Sequence, residues 1–500
     1  MLKRVKFELV ARFIASTFIS EPPGVGGMPS KDMRGIAKTT LAVLIIVIVI
    51  IAGVGIYFAY TMTTSSTTTS TGLSGHITVA AESGYNDAAL KQIATDFMAA
   101  NPGTTVNVVT LSFDTALQSY QTAFSANQSS YDVLFFPNVG YIGSIQQYLL
   151  DLNPYVNNPT YFPSSWNYSD FLPSMIAPFQ INGHLYAIPN TGDAMLFFYR
   201  PSFFNSTANQ AAFQTQYGYA LPDPGKQTLT LQQTVDIANF FNGAHGAKYG
   251  MEFMTGPGDD DMIQTFLTLL GGPRTASNAT STYGKVTAPY GDMFSSDGKI
   301  LSNTPMFQNA LSGFVQLIKA SEDPDQATFT TVPGTFEAGD APMMVYWSYP
   351  ILFLGNASQS HVAGDWAVAP TTPGGISETG GVGLGIFKYT QNLPLSLAFE
   401  EFATNPTESV VYTTADGLLP FRYSGFQYAL QHNILSATME TALLSNLQNS
   451  VQGPANIAYW PQVSTYFRGE VPNIVSGQET VAQAAAKITQ ECVTAGATAY

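Results

Sequence analysis

The hydrophobic pattern after residue 75 switches repeatedly between the period of a strand and the period of a helix. Apolar residues occupy every second position or a continuous short run in some segments, and every third or fourth position in the longer segments between them. The predicted strands are 76–81, 105–111 and 131–136, and the predicted helices between them are 87–100 and 115–127. This alternation predicts an α/β fold with a parallel sheet covered on both faces.

The ends of the first and third predicted strands are the first places where we expect a ligand. Open α/β sheets bind ligands beyond the carboxyl ends of their strands. Glu82 and Ser83 follow the first strand, and Phe136 and Asn138 close the third. The alternative for Glu82 is a solvated surface carboxylate, and the alternative for Phe136 is core packing.

A second part of the chain is predicted to begin near residue 190. After a turn at 180–184, an apolar strand lies on each side of the Pro189-Asn190-Thr191 centre, which suits a chain that crosses between two lobes. The length after the first 74 residues, about 425 residues, also exceeds a single core. Further helices are predicted at 231–242, 262–270, 307–320, 395–403 and 479–492.

A strongly apolar run without charge, 41–60, precedes all of these elements. A helix of this length reaches about 30 Å, the thickness of a bilayer core. Basic residues cluster before the run, so we expect 1–40 to be cytoplasmic and the rest extracellular. We predict a retained transmembrane helix, with a cleaved secretory signal and a buried core helix as alternatives. The Ser/Thr-rich segment 61–74 is predicted to be a flexible or O-glycosylated stalk.

Composition narrows the classes of function. Only 11% of residues are charged, and 34 Asp and Glu against 19 Lys and Arg give a net charge of −15. Nucleic acid is not expected as a partner, because its phosphates need a basic surface. The single cysteine, Cys492, leaves no intrachain disulfide. The five His are scattered without metal-ligand spacing, so neither a metal nor a cofactor is expected.

Five Asn-x-Ser/Thr sequons without Pro at the middle position lie on the predicted extracellular side, which makes them candidates for glycosylation. Such sequons also arise by chance in chains rich in Asn and Thr. Their asparagines are Asn127, Asn167, Asn205, Asn278 and Asn356.

Six stretches, in this order, resemble the maltose-binding (family 1) type of extracellular solute-binding protein, which feeds an ABC importer. YDVLFFPNV is similar to the family's third strand and ligand loop. INGHLYAIPNTGDAMLFFYRPSFF is similar to the hinge segment in which the family's chain first passes between its two lobes. The other four are TFEAGDAPMMVYWSYP, GGVGLGIFKYTQNLPLSLAFEEFATNPTES, GLLPFRYS and VSGQETVAQAAAKITQE. Together they cover roughly residues 75–490.

The resemblance implies a class II periplasmic-binding-protein-like fold, in which two discontinuous α/β lobes are joined by a hinge and hold the ligand in the cleft between them. Residues 75–190 and 380–418 would form the first lobe, and 195–370 and 420–500 the second. The implied ligand is a sugar or oligosaccharide, and the implied partners are the permease subunits of an ABC importer. The implied hinge residues are Pro189, Asn190, Thr191, Gly380 and Gly381.

Aromatic faces and carboxylates are the groups that hold a sugar, since a sugar presents both C–H patches and hydroxyls. Trp347 and Tyr349 end an apolar strand, and Trp460 stands where the resembled family often places a contact. Asp193 falls where the resemblance places a ligand carboxylate. Core packing is the alternative for the aromatic residues, and a cap or hinge hydrogen bond for Asp193. The acidic segment 255–261 suits a helix N-terminus, with a calcium or ligand site as the alternative.

The residues before the apolar run resemble an archaeal pilin-like (class III) signal. The resemblance implies cleavage between Arg34 and Gly35, which would leave the apolar run attached. The product would be a single-pass cell-membrane protein with an extracellular ectodomain, held in the membrane by its N-terminal helix.

Other classes of function stay open on the sequence. A peptide or another polar solute is an alternative ligand. A glycosidase would use paired carboxylates, but no G-x-S-x-G, H-E-x-x-H or Walker loop is present, and we expect no enzyme. A surface-layer or adhesive protein would suit the stalk and sequons, although such proteins are usually all-β.

Overall fold

The structure is a computed structural model, and part of the chain lies outside the residues that it describes. The described residues are 72–125, 130–137, 142–258, 260–270, 293–294, 299–324, 326–450 and 459–499. Outside them lie the predicted cytoplasmic segment, transmembrane helix and most of the stalk, together with Arg34, Gly35, Asn127, Asn138 and Asn278. Within the described ranges, no helix combines the length and the hydropathy that a membrane span needs.

The strands in the described residues are short, and most have two to five residues. They are β1 (Gly75–Glu82), β2 (Thr104–Leu111), β3 (Val133–Pro137), β4 (Gln180–Ile181), β5 (His184–Leu185), β6 (Ile188–Pro189), β7 (Asp193–Ala194), β8 (Leu196–Tyr199), β9 (Lys299–Ile300), β10 (Met343–Tyr346), β11 (Ala367–Val368), β12 (Thr379–Gly380), β13 (Val382–Ile386) and β14 (Thr498–Ala499).

The α-helices in the same ranges are more numerous and include most of the predicted ones. They are α1 (Asp87–Ala100), α2 (Phe113–Ser125), α3 (Ile142–Ile145), α4 (Asn153–Val156), α5 (Pro173–Ile176), α6 (Pro201–Asn205), α7 (Thr207–Tyr217), α8 (Leu231–Phe241), α9 (Asp261–Leu270), α10 (Pro305–Ile318), α11 (Val332–Glu337), α12 (Ile351–Leu354), α13 (Leu393–Thr404), α14 (Ser409–Ala415), α15 (Tyr423–Gln431), α16 (Ala437–Gln448), α17 (Trp460–Val475) and α18 (Val481–Ala495).

The first sheet has five strands in the order β2-β1-β3-β13-β6. β1 is parallel to β2 and to β3, whereas β13 runs antiparallel to β3 and β6. All five residues of β3 are buried, as expected for a strand covered on both faces. The predicted alternation of strands and helices is therefore confirmed. The apolar stripe of α1 covers this sheet and consists of Ala89, Leu90, Ile93, Ala94 and Phe97.

The second sheet has three antiparallel strands in the order β10-β8-β11. A further segment runs parallel to β10, because the Glu252 amide donates to Met343 O and the Val345 amide donates to Glu252 O, both at 2.9 Å. The carboxyl ends of this segment and of β10 therefore lie at the same edge. The strands of the first sheet come from 75–189 and 382–386, and those of the second from 196–368.

Short strands connect the two sheets. β7 pairs with β12 in antiparallel register, with Gly380 opposite Asp193. The Gly192 amide donates to Leu419 O at 2.9 Å, so a third segment runs beside the pair. The chain thus passes between the sheets in three places. We call the β7–β12 pair, which contains the first two of these passages, the first crossing. Residues 417–424 are the third crossing.

A buried arginine anchors the third crossing. Arg422 has no exposed surface, and its guanidinium lies 3.6 Å from the centre of the Phe171 ring. Nε donates to Thr404 O at 2.7 Å, and Nη1 lies 3.3 Å from Asp170 Oδ2. Burial lowers the pKa of Arg422 to about 10 even though Asp170 opposes the shift, so the guanidinium stays charged at neutral pH.

Candidate ligand-binding site

The carboxyl ends of β1, β3 and β10 converge on the first crossing. Ser83 follows β1 with its side chain exposed, and its amide donates to Leu111 O at 2.8 Å. Glu82 is partly buried, and its amide is capped by Asn86 Oδ1 at 2.8 Å. Tyr85, two residues further on, reaches the crossing, because its hydroxyl donates to Asp193 Oδ2 at 3.4 Å. The loop after β1 therefore reaches the first crossing, and whether Glu82 and Ser83 bind a ligand stays a prediction.

Asp193 is buried at the centre of the first crossing. Oδ1 accepts hydrogen bonds from the Ser348 amide at 3.0 Å, from Ser348 Oγ at 2.6 Å and from the Ala194 amide at 2.9 Å. Burial raises the pKa of Asp193 to about 6, and these hydrogen bonds limit the rise. The carboxylate thus joins Tyr85, beside the first sheet, to Ser348, at the end of the second. These hydrogen bonds fit the alternative role that the sequence analysis gives Asp193, which is to stabilise the hinge.

Trp347 packs on the first crossing. Its side chain is buried, and its indole Nε1 donates to Asp261 Oδ1 at 3.0 Å. A Cβ on Gly380 would come within 2.5 Å of Trp347 Cζ3, so the ring lies flush against the backbone of β12. Glycine at position 380 is what permits this approach. The structure therefore brings Trp347 to the predicted hinge with 7% of its surface exposed.

Tyr349 is the predicted aromatic residue with the most accessible ring. It is 39% exposed, and the ring of Phe353 meets it edge-on at 5.0 Å between centroids. Phe329 lies beside it, 37% exposed, with centroids 6.1 Å apart. The sequence pattern gave no sign of Phe329, because the loop that carries it has no regular period.

Phe136 and Trp460 are placed in the interior. Phe136 has no exposed surface and meets Phe179 edge-on at 5.7 Å. Trp460 is the first residue of α17 and is 1% exposed. Both occupy the core positions that the sequence leaves open as alternatives. Asn138 lies outside the described residues.

The other predicted hinge residues lie around the same crossing, where Pro189, Asn190, Thr191 and Gly380 are buried and Gly381 is half-buried. The Val382 amide donates to Thr191 Oγ1 at 2.8 Å, and the Asn190 amide donates to Val382 O at 3.0 Å. Pro189 ends β6. Gly381 has a φ of 101°, in the left-handed region that favours glycine. These residues form a narrow, hydrogen-bonded connection between the sheets.

Acidic residues at the start of α9 form hydrogen bonds with Trp347, after the end of β10, and with α17. Asp261 lies in the first turn of α9, where a negative charge suits the helix dipole, and it holds the Trp347 indole. Asp260 accepts a hydrogen bond from Ser464 Oγ and lies 3.7 Å from Arg468 Nε. Over the described ranges, no three Asp, Glu, His or Cys side chains come together as metal ligands. The segment thus connects α9 to α17 and orients Trp347.

The three sequons inside the described ranges are accessible. Asn167, Asn205 and Asn356 are all exposed. In two of them the hydroxyl of the sequon serine donates to the asparagine Oδ1 at 2.8 Å, Ser169 to Asn167 and Ser358 to Asn356. Their occupancy stays a prediction.

Two sheets are thus joined by three passages of the chain, and the side chains of Asp193 and Trp347 pack at the first crossing, next to the exposed Tyr349. The sequence profile of the bacterial extracellular solute-binding protein family matches residues 80–409. The chain belongs to this family, which confirms the family resemblance. No curated protein matches the chain in sequence.

Solved structures of sugar-binding proteins share the fold. Maltose-bound MalE3 of T. maritima is 21% identical with a TM-score of 0.62, and the match covers 84% of this chain and 99% of that one. The GacH receptor of Streptomyces glaucescens is also 21% identical with a TM-score of 0.62, over 85% and 98% of the two chains. A solute-binding protein of Thermotoga lettingae, bound with α-D-tagatose, is 17% identical with a TM-score of 0.64, over 84% and 100%. These likenesses confirm the class II periplasmic-binding-protein-like fold.

Proposed function

We propose that this protein captures a sugar or oligosaccharide outside the cell and delivers it to the permease subunits of an ABC importer. The proposal places the ligand at the carboxyl ends of β1 and β10, between a first lobe of 75–190 and 380–418 and a second lobe of 195–370 and 420–500. The protein would act by binding and release without catalysis, as the other members of its family of solute-binding proteins do.

The exposed ring of Tyr349 is the observation that carries the proposal. Tyr349 stands one residue beyond Ser348, whose amide and hydroxyl are both fixed by Asp193. An aromatic face held beside the crossing offers a sugar a stacking surface, and the loop after β1, which reaches the same crossing through Tyr85, adds the exposed Ser83 as a polar partner. Relatives of the same fold were solved with maltose and with α-D-tagatose, which supports a saccharide over a peptide.

Calorimetric titration of the detergent-solubilised full chain with a saccharide panel tests the ligand class. We expect at least one saccharide to bind and to raise the melting temperature, because a ligand that binds only the folded state stabilises it. Tyr349→Ala should weaken that binding about tenfold and leave the melting temperature nearly unchanged, since the ring is already partly exposed. Binding of peptides with no response to any saccharide would favour the alternative ligand.

Closure of the two lobes is part of the proposal. The narrow first crossing supports a hinge, and a ligand shifts the closed population only as far as it prefers that state. Small-angle scattering should show a smaller radius of gyration at saturating saccharide. An unchanged radius would exclude the clamp while leaving the binding site intact.

Anchoring in the membrane is proposed from the apolar run 41–60 and the basic residues before it. N-terminal sequencing of protein from native membranes tests this. A mature start at Gly35 would support the archaeal pilin-like signal and the retained helix. A start beyond residue 60 would mean a cleaved secretory signal and a receptor that diffuses away from its importer.

A further inference from the structure

Glu252 is a buried carboxyl group that the proposed ligand site does not use. It is 1% exposed and lies in the segment that runs parallel to β10. Its Oε1 accepts a hydrogen bond from the Glu322 amide at 3.0 Å, and no donor among the described residues reaches Oε2. Oε2 is therefore the oxygen that can carry a proton without the loss of a hydrogen bond.

The Glu322 amide belongs to a loop that crosses the carboxyl end of the second sheet. This loop comprises 322–331, of which residue 325 lies outside the described ranges, and we call it the covering loop. Thr255, which follows the parallel segment, holds the middle of the loop. The Thr255 amide donates to Ala327 O at 2.9 Å, and the Ala327 amide donates to Thr255 Oγ1 at 3.3 Å. The same segment therefore holds the loop at its start and at its middle.

The far end of the covering loop lies against the proposed ligand site. Phe329 O accepts a hydrogen bond from the hydroxyl of Tyr346, the last residue of β10. The Phe329 ring lies beside that of Tyr349, with centroids 6.1 Å apart. The surroundings of Tyr349 therefore depend on where the loop lies, and a group that holds the loop acts on the site without touching the ligand.

Three carboxylates face Glu252, and burial is the main reason that its pKa rises to about 8. Glu322 and Asp323 of the covering loop and Asp340, which follows α11, raise the pKa further by repulsion, while the hydrogen bond from the Glu322 amide limits the rise. A cavity of about 160 Å³ is lined by Glu252 and the covering loop, and none of the described residues around it is Lys or Arg. Glu252 is thus a neutral acid at pH 7 while the loop is held.

The other charged and titratable groups near Glu252 have partners of their own. Lys248 is exposed, and its ammonium group pairs with Asp340 at 2.7 Å. The Tyr249 hydroxyl donates to Glu322 Oε1 at 3.5 Å. Neither contact supplies a cation to Glu252. A carboxylate at this position would be a buried charge without a partner, which is strongly unfavourable.

We propose that Glu252 is a positioning residue that holds the covering loop beside the ligand site when it is protonated and releases the loop when it loses its proton. The held loop keeps the carboxyl group buried and neutral. The released loop exposes it to water, where a glutamate ionises near its ordinary pKa of 4.5. Release therefore becomes easier as the pH rises from about 5 to 8, and levels off above pH 8. The effect on saccharide capture rests on the proposed function, whereas the movement of the loop does not.

Hydrogen–deuterium exchange of the covering loop tests the proposal, measured on the detergent-solubilised full chain between pH 5 and 8. Glu252→Gln keeps the acceptor for the Glu322 amide and carries no charge, so its loop should open equally at every pH. We expect the wild-type loop to exchange nearly like the variant at pH 5 and about 100-fold faster at pH 8, within the limit of tenfold per pH unit. The ratio of the wild-type rate to the variant rate removes the intrinsic pH dependence of exchange.

Glu401→Gln is the matched control. Burial raises the pKa of Glu401 to about 7, so this carboxyl group titrates in the same range as Glu252. It lies in α13, which packs on the first sheet, away from the covering loop. The Glu401→Gln loop should show the same pH profile as the wild-type loop, and a profile as flat as that of Glu252→Gln would mean that the effect is not specific to Glu252.

Parallel profiles of wild type and Glu252→Gln, or a variant loop that opens faster at every pH, would overturn the proton-dependent role and leave the sugar-binding function standing. If Glu252→Gln yields no folded protein, Glu322→Gln takes its place. Removal of that neighbouring charge lowers the pKa of Glu252 in the held state, so the rise in exchange rate should be smaller than in the wild type. An equal rise would overturn the role. A protein that shows the loop movement but binds no saccharide at any pH would overturn the proposed function alone.

Discussion

The first and third crossings both bury a charged side chain, and they stabilise it in different ways. At the third crossing, the guanidinium of Arg422 lies against Phe171 and pairs with Asp170. At the first, Asp193 is surrounded by hydrogen-bond donors, and in the described part of the chain no Lys or Arg forms an ion pair with it. Burial of a carboxylate without a cation favours its neutral form, which is why the pKa of Asp193 rises to about 6.

The difference indicates that the two crossings have different mechanical roles. The Arg422 side chain ties the third crossing to the segment around Asp170 through a charge that persists at neutral pH. The Asp193 carboxylate holds neutral donors from both sides of the first crossing. A hydrogen bond between a carboxylate and a neutral donor is weaker than a buried ion pair. It therefore breaks more easily. We therefore expect the first crossing to bend and the third to stay fixed.

The largest expected effect is at the third crossing. Arg422→Met should lower the free energy of unfolding by about 5 kcal/mol, because Asp170 would be left without its cation and the contact with Phe171 would be lost. Urea denaturation measures this. Lys248→Met, which breaks an exposed pair with Asp340, is the control and should leave stability nearly unchanged. Equal effects of the two variants would remove the distinction between the crossings.

Packing is expected to contribute next, at the first crossing. Trp347→Ala should lower the free energy of unfolding by about 4 kcal/mol, since it opens a cavity against β12 and leaves Asp261 without the indole donor. Denaturation of this variant beside Tyr349→Ala is the measurement. The Tyr349 variant should lose affinity and the Trp347 variant stability. A Trp347→Ala variant of wild-type stability and weak saccharide binding would instead make Trp347 a ligand contact.

The pH dependence of Asp193 gives the third prediction. Its folded pKa, about 6, exceeds the ordinary value of 3.8, so the folded state takes up the proton first as the pH falls. As the pH falls from 6 to 4, this carboxyl should therefore raise the free energy of unfolding by about 2 kcal/mol. Asp193→Asn should lack that rise. Because Glu252, Glu400 and Glu401 also have raised pKa values, the quantity to follow is the difference between wild type and variant. Parallel pH curves would contradict the prediction.

The smallest effect concerns one donor to that carboxylate. Ser348→Ala removes the hydroxyl at 2.6 Å but keeps the amide donor, and should lower the free energy of unfolding by about 1 kcal/mol at pH 7. The loss should shrink at pH 4, where Asp193 is neutral and the hydrogen bond is no longer charge-assisted. Unfolding curves at both pH values measure it. An equal loss at both would mean that the carboxylate is already neutral at pH 7.

The spacing of hydrophobic residues was enough to predict the first strands and the first helix of the first sheet. The predicted helix 87–100 coincides with α1, and the predicted strands 76–81 and 105–111 lie within β1 and β2. These elements each bury one face, so their period appears in the sequence. The partner strand β13 has no such local signal, and only the family resemblance indicated that the chain returns to the first sheet there.

Side-chain exposure was much harder to predict. Phe136 and Trp347 both come at the ends of apolar strands, as Tyr349 does, yet only Tyr349 has a substantially exposed ring. Which way such a ring points depends on neighbours distant in sequence, Phe179 for Phe136 and Gly380 for Trp347. The burial of Arg422 likewise depends on Asp170, 252 residues away. A local pattern carries no information about contacts of this kind.

β13 pairs with β3 but is synthesised much later, because it lies far along the chain. β3 ends at Pro137, and its partner in the register is Val382, made 245 residues later. At about 5–20 residues per second, roughly 12 to 50 s pass before β13, the antiparallel neighbour of β3, exists. For that time the apolar strand β3 has an open edge, the kind of edge that pairs with other chains. A nascent chain released or stalled before residue 386 is therefore an aggregation hazard, and a cell that makes this protein gains by keeping the chain unfolded until β13 emerges.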